Sequence, residues 1–286
     1  MSTVQPPAPQ PLRWPAEAVW EAVVPLLPGF TVEVLPSIAS TNTELMQRAR
    51  AGSSEPTLLV AEVQTAGRGR LGRAWNNAAG NSLMFSLGLP LAPVEWSGLS
   101  LAVGVSIAEN LQPVPLPGAA RIGLKWPNDL WLDDGRKLGG ILVETASLVG
   151  AASAPAPGTG RAARYVVVGV GINVRPPSAQ GLTTPPGSLQ DVDTRLDAPA
   201  ALLRLVPPLV AMLQSFEAQG FAPLRERFHQ RDVLRGREVV LSDGGAGTAD
   251  GVEADGALRV RTAQGVQAVT GSEISVRPAG QPLPPA

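Results

Sequence analysis

The chain has no cysteine and one histidine in 286 residues. The first absence removes disulfides, thiolate-ligated zinc and any cysteine nucleophile. The single histidine, His229, lies in a helical Arg/Glu-rich segment and argues against a Ser-His-Asp triad or a multi-histidine metal site. An enzyme with this inventory works mainly by positioning and electrostatics. Basic excess is also missing: the formal net charge is -1 at pH 7, which argues against a general binder of polyanions. No apolar run approaches the length of a membrane span. The first residues, Met1-Ser-Thr-Val-Gln-Pro-Pro7, offer neither a basic nor an apolar region of a secretory signal. The expectation is a cytoplasmic chain with no membrane attachment. What is plentiful is core material. With 44% hydrophobic residues and a mean hydropathy of +0.10, the chain can bury one large domain and a small one.

One stretch organises the rest. A β-branched run over residues 57–64 reads as a buried strand, and it breaks into a loop where Gly67, Gly69 and Gly72 alternate with Arg68, Arg70 and Arg73. Glycine lets a ligand approach the backbone, and arginine offers a planar fork of donors for carboxylates and phosphates. Gly67-Arg-Gly-Arg-Leu-Gly72 also matches the dinucleotide pattern G-x-G-x-x-G. That pattern needs a helix directly afterwards, and residues 81–89 alternate like another strand instead. A solvated Arg/Gly turn and a nucleic-acid contact remain as alternatives on the loop alone.

Taken in order, residues 1–12 are Pro/Gln-rich and read as a disordered tail. A short helix over 15–27 and a strand over 31–35 follow. Ser40-Thr-Asn42 opens a helix in which Thr41 and Glu44 fit a capping box and Gly52 the C-terminal stop. Those polar groups either cap their own helix or reach a ligand. After an apolar helix over 97–111 comes Arg121-Ile-Gly-Leu-Lys-Trp-Pro-Asn-Asp129, where Pro127 interrupts a strand. Lys125, Trp126, Asn128 and Asp129 gather a cation, an aromatic face, an amide and a carboxylate at that break; a surface turn is the rival reading. A hairpin turn over 133–136 leads into a strand over 137–144. Lys137 there can be a solvated lysine. Residues 147–164 are a low-complexity Ala/Pro/Gly connection. Residues 165–174 are a central apolar strand carrying Asn173, a buried amide that must find partners or cost about 1–3 kcal/mol. A helix over 198–220, broken or kinked at Pro207-Pro208, and a second over 221–233 precede short β-runs at 238–241, 247–253, 257–261 and 266–269 with Asp-Gly turns between them.

Together these stretches resemble biotin protein ligases, the biotin–[acetyl-CoA-carboxylase] ligases. The matching elements stand in the family's order: Ser40-Thr-Asn42; Gln64 with Gly67-Arg-Gly-Arg70 and Gly72-Arg-Ala-Trp75; Lys125-Trp-Pro-Asn-Asp129; Arg136-Lys-Leu-Gly-Gly-Ile-Leu-Val-Glu144; and Val168-Gly-Val-Gly-Ile-Asn173. The resemblance implies an α+β fold: a mixed-sheet catalytic domain of the biotin/lipoate ligase type over 13–233 with helices on one side. A small C-terminal β-barrel over 234–278 and a tail over 279–286 follow. It implies that biotin and ATP give biotinyl-5'-AMP, with Mg²⁺, and that the biotinyl group then passes to a lysine of a biotin carboxyl carrier protein. By position, Ser40, Thr41, Asn42 and Gln64 would bind the biotin head. Arg68, Gly69 and Arg70 would close over it, and Lys137 would meet its carboxylate and the reacting phosphate. Lys125, Trp126, Asn128 and Asn173 would lie on the nucleotide side, with Asp129 as the metal candidate. Lys137, Arg68 and Arg70 would be the catalytic set.

Some family members carry an N-terminal helix-turn-helix domain. Only about thirty residues precede the first catalytic strand, so the expectation is a ligase without DNA binding. The resemblance also allows a homodimer. A lipoate–protein ligase is the rival enzyme, and a non-catalytic biotin-binding module the rival of another class.

Overall fold

The computed structural model describes residues 12–75, 80–148, 160–179, 182–271 and 274–280. The expected Pro-rich tail, most of the Ala/Pro connection and the C-terminal tail fall outside them.

The chain opens with α1 (Ala16–Val23), for which Pro15 stands at the N-cap. Then β1 (Thr31–Leu35), α2 (Thr41–Arg50) and β2 (Thr57–Ala61) form a crossover unit, with β1 and β2 paired in parallel. The remaining strands are β3 (Ser82–Leu91), β4 (Ile122–Lys125), β5 (Asp129–Leu132), β6 (Lys137–Ser147) and β7 (Arg164–Asn173), all joined antiparallel. They complete a seven-stranded mixed sheet of order β1-β2-β3-β7-β6-β5-β4. The apolar run of β7 suits its central place, because one face meets the main core, α2 covers part of the other, and β3 and β6 pair along nearly all of it.

Alternation decides which face each side chain serves. Val166, Val168, Val170 and Ile172 point into the main core with α3 (Leu99–Leu111) and α4 (Ala198–Gln219), beside Val19 and Val23 of α1. Tyr165 and Val167 point the other way, against Leu45, Met46 and Ala49 of α2. The expectation of helices on one side therefore holds for α1, α3 and α4 and is corrected for α2, which covers the opposite face. That opposite face matters, because Gly169, Gly171 and Asn173 continue the same alternation and leave an open floor beside α2.

Two further expectations change. Helix α4 runs through Pro207 and Pro208 without a break. The helix expected over 221–233 shrinks to a 3-10 turn and α5 (Arg225–His229), after which the chain straps the edge strand β4: Leu124 N–H donates to Arg231 O at 2.7 Å and Val233 N–H to Leu124 O at 3.0 Å. The C-terminal strands β8 (Glu238–Leu241), β9 (Ala246–Val252), β10 (Leu258–Thr262), β11 (Gly265–Val269) and β12 (Val276–Pro278) form an antiparallel sheet of order β11-β10-β9-β8-β12, whose end strands do not pair among the described residues. This second sheet forms the small C-terminal unit of the fold. Its Val239, Val252, Leu258 and Val260 belong to the same buried cluster as Phe221 and Leu101.

The absence of any span-length apolar run also needs correcting. By length and composition alone, α4 passes as a membrane-crossing helix. Its Leu202, Leu205, Leu209 and Leu213 are fully packed in the main core, which accounts for its apolar character.

Candidate functional site

A cleft of about 300 Å³ opens on the α2 face of the sheet. Ser40, Thr41, Asn42, Gln64, Arg68, Gly69, Arg70, Lys125, Asn128, Asp129, Lys137 and Asn173 all line it. Trp126 does not. Its indole is 1% exposed, and its Nε1–H donates to Gly256 O at 3.0 Å, in the turn between β9 and β10. The aromatic walls of the cleft are instead Trp75 and Trp131.

The polar end is built on the first turn of α2. Ser40 is the last extended residue and caps the helix, its Oγ accepting from Thr43 N–H at 3.4 Å. This corrects the capping box by one residue: Thr41 is already helical, and Glu44 pairs with Arg48 at 2.9 Å. Thr41 is thereby released from capping. Its N–H donates to Gln64 Oε1 at 2.8 Å, and its Oγ1 lies 2.7 Å from the hydroxyl of Ser86 on β3. Ser86, fully buried, also donates to Asn42 Oδ1 at 2.6 Å. The two N–H protons of Asn42 go to Leu142 O at 3.2 Å and Glu144 Oε2 at 3.0 Å. Asn42 is thus fixed by protein groups on three sides. A Cβ on Gly169 would lie 2.0 Å from Asn42 Oδ1, and one on Gly171 would lie 2.8 Å from the Trp75 ring, so both glycines are demanded by close approach.

Over this end sits the Gly/Arg loop, which folds back on itself. Gly69 N–H donates to Arg73 O at 2.7 Å, Trp75 N–H donates to Gly67 O at 2.8 Å, and a 3-10 turn over Arg70–Gly72 makes the bend. Leu71 in that bend has φ 55°, the one positive-φ non-glycine among the described residues. Arg68 and Arg70 are tied to different elements. Arg68 reaches Glu144 on β6 at 3.5 Å. Arg70 donates to Asn128 Oδ1 at 3.3 Å and to the carbonyl of Gly271 in the C-terminal region.

The other end is a concentration of positive charge. Lys125, Lys137, Arg70, Arg73 and Arg277 line it, with Asp129 as the sole lining carboxylate among the described residues. Asp129 accepts from Lys137 Nζ at 2.6 Å and lies 3.8 Å from Lys125 Nζ. Burial would raise this carboxyl; the two ammoniums reverse that and hold it below the usual range. Burial pushes the Lys125 ammonium down to about 8 against the opposing pull of Asp129. Its Nζ also stands 5.2 Å from the Trp131 ring centre. Asn173 has found its partners in the main chain, donating to Gly187 O at 3.0 Å and Lys137 O at 3.3 Å. Its burial alone therefore asks for no ligand.

Asp129 fits a metal poorly. A protein-held Mg²⁺ needs free carboxylate oxygens, whereas these face ammonium groups, and no cluster of three acidic or histidine groups able to hold a metal occurs among the described residues.

Sequence reading missed Ser86, Glu144, Arg73, Trp75, Trp131 and the C-terminal group Ser275, Val276 and Arg277 as parts of this region. Arg73, Trp75 and Glu144 stood inside matched motifs. The C-terminal three carried no local signal, because only the packing of the second sheet brings them to the cleft.

Residues 34–173 match the model of the Biotin/lipoate A/B protein ligase family. Among curated proteins, the chain is 37% identical over 260 residues to the "Bifunctional ligase/repressor BirA" of Escherichia coli (strain K12), covering 88% of this chain and 76% of that one. It is 32% identical over 247 residues to the "Biotin--[acetyl-CoA-carboxylase] ligase" of Paracoccus denitrificans, covering 82% of this chain and 96% of that one. Among solved structures, it is similar to the biotin protein ligase from Aquifex aeolicus in complex with biotin and ATP. The TM-score is 0.71 at 26% identity, over 87% of this chain and 99% of that one.

Proposed function

The chain belongs to the biotin protein ligases of the biotin/lipoate A/B protein ligase family, and on that premise we propose that it activates biotin with ATP and transfers it to a lysine of a biotin carboxyl carrier protein. One observation carries the reading: a polar pocket at the first turn of α2 and a cluster of five cations, two of them from the Gly/Arg loop, share one cleft.

In the first reaction a carboxylate oxygen of biotin attacks the α-phosphorus of ATP, the bond to the bridging oxygen breaks, and pyrophosphate leaves. Two anions must meet. Lys137, Lys125, Arg68 and Arg70 offset that repulsion and stabilise the charge that builds up on the phosphoryl oxygens. In the second, the uncharged amine of the carrier lysine attacks the acyl carbon, AMP leaves with the bonding electrons, and the nitrogen loses a proton. No protein nucleophile is needed, in keeping with a chain without cysteine. The loop, closed over the mixed anhydride, would keep water from it.

The polar end divides its work. Thr41 and Gln64 present hydroxyl and amide groups to the biotin head, while Asn42, with both N–H protons engaged by Leu142 and Glu144 and its oxygen by Ser86, orients them. Asn128 would serve by holding Arg70. Trp126 would support the nucleotide side from behind rather than touch the base. Asp129 serves as counter-ion to Lys125 and Lys137 rather than as a metal ligand. The division into 13–233 and 234–278, and a cytoplasmic location, are kept as parts of this reading.

Pyrophosphate–ATP exchange with biotin, lipoate or no acid tests the assignment. Exchange that depends on biotin is expected. Dependence on lipoate would move the assignment to the sister activity, and no exchange with either acid would leave a binding module.

A further inference from the structure

Glu144 takes no part in the chemistry above, yet its side chain touches both Asn42 in the pocket wall and Arg68 in the loop over it. It lies on β6, on the same face as Gly140 and Leu142, beside the first turn of α2. One carboxylate oxygen accepts from Asn42 Nδ2 at 3.0 Å; the other faces Arg68 Nη2 at 3.5 Å. Behind Asn42 the chain of contacts continues through the buried Ser86 hydroxyl to Thr41, and from Thr41 to Gln64. The pocket and the loop are therefore joined by one hydrogen-bonded line of side chains, and Glu144 is the link at which it leaves the rigid sheet.

We propose that Glu144 is a positioning residue for the acid-binding pocket, fixing the Asn42 amide with one oxygen and anchoring Arg68 over the pocket with the other. The proposal rests on the biotin ligase reading.

Arg68 is suited to being anchored while still at work. Its fork has five donors, of which Glu144 engages one, and the residue lines the cleft with its side chain 44% exposed. A long, partly exposed ion pair contributes little to stability. Its value here is geometric: it limits where a long guanidinium side chain on a glycine loop can go. Asn42, by contrast, is 4% exposed, so losing an acceptor would leave a buried N–H unpaired and free the amide to rotate away from Ser86.

The two oxygens therefore have separable effects. In Glu144→Gln the amide oxygen can still accept from Asn42, but no charge holds Arg68. The expected result is an unchanged melting temperature and a KM for biotin within about threefold of wild type. Biotinyl-adenylate should leave three- to tenfold faster. In Glu144→Ala both links go, and the KM for biotin should rise more than tenfold as well. The decisive readout is a cycle with Arg68→Ala: if Glu144 acts through Arg68, adding Glu144→Gln to Arg68→Ala causes no further loss of retention. Glu144→Asp, which keeps the charge and loses reach, replaces Glu144→Gln in the cycle should the latter not fold. Wild-type retention in Glu144→Gln, or losses that multiply in the double variant, would overturn the proposal. If the wild type forms no biotinyl-adenylate at all, the ligase reading beneath it is what fails.

Discussion

Replacing Gly169 with alanine puts the packing of the pocket to a sharp test. The added Cβ would sit 2.0 Å from Asn42 Oδ1 and 2.8 Å from Asn42 Cγ, far inside contact distance, in a strand paired on both sides. Central strand β7 cannot retreat, so Asn42 must move. Overpacking a buried site costs about 1–3 kcal/mol. Displacing Asn42 from Ser86, Leu142 and Glu144 adds about 1 kcal/mol for each hydrogen bond that is not remade. With partial relaxation, the sum is on the order of 2–4 kcal/mol, or about 5–10 °C in melting temperature for a chain of this size. Equilibrium urea unfolding reads the stability, and the biotin dependence of pyrophosphate exchange reads the pocket. Asn42→Ala placed on top of Gly169→Ala removes the collision, so most of the stability should return while biotin affinity stays poor. Gly140→Ala is the control: its Cβ would meet nothing closer than 3.7 Å, so stability should hold. A Gly169→Ala protein with wild-type stability and wild-type biotin dependence would refute the packing argument.

Arg70→Gly should release the loop from Asn128 and Gly271 together; biotinyl-adenylate is then expected to escape and label lysines of bystander proteins, detected by streptavidin blotting, and unchanged retention would count against a closing role. The Lys125 ammonium, pushed down to about 8 by burial, is charged below that pH and loses its charge as pH rises through it. The adenylation rate should therefore show a falling limb near pH 8 that is missing in the slower Lys125→Gln; a limb of the same position in that variant would assign it elsewhere. Asp232, in the strap beside β4, has one buried oxygen without a partner, and burial raises its carboxyl from 3.8 to about 6. The fold favours its protonated form, so its cost is absent at low pH and grows as pH rises from 3.8 to about 6, reaching up to about 3 kcal/mol. The melting temperature of wild type should thus fall relative to Asp232→Asn across that window, and a constant difference between the two would argue against it.

Elements whose pattern is set locally are legible in the sequence alone. The β-branched run of β7, the glycine-punctuated loop and the polar opening of α2 announce themselves, and five matched stretches in order define the catalytic half. What is not legible depends on which neighbour a side chain meets. Trp126 lies in the turn between β4 and β5, where its indole is buried against Gly256 of the second sheet, while Trp131 on β5 reaches the cleft wall. The cap falls on Ser40 instead of Thr41 because either hydroxyl satisfies the local rule; the contacts of Thr41 with Gln64 and Ser86 break the tie. Strand β12 has no sequence signal of its own, since three residues ending in Pro278 carry too little periodicity. Arg277, which it delivers to the cleft, cannot be placed without the sheet around it.

Transfer of biotin itself is the central claim, and intact-mass analysis of a biotin carboxyl carrier domain tests it most directly. Incubated with the protein, ATP and an equal mixture of biotin and lipoate, the carrier domain should gain one biotinyl group on a single lysine, and none when ATP is withheld. A lipoyl group on the carrier, or no modification while ATP and biotin are both present, would contradict it.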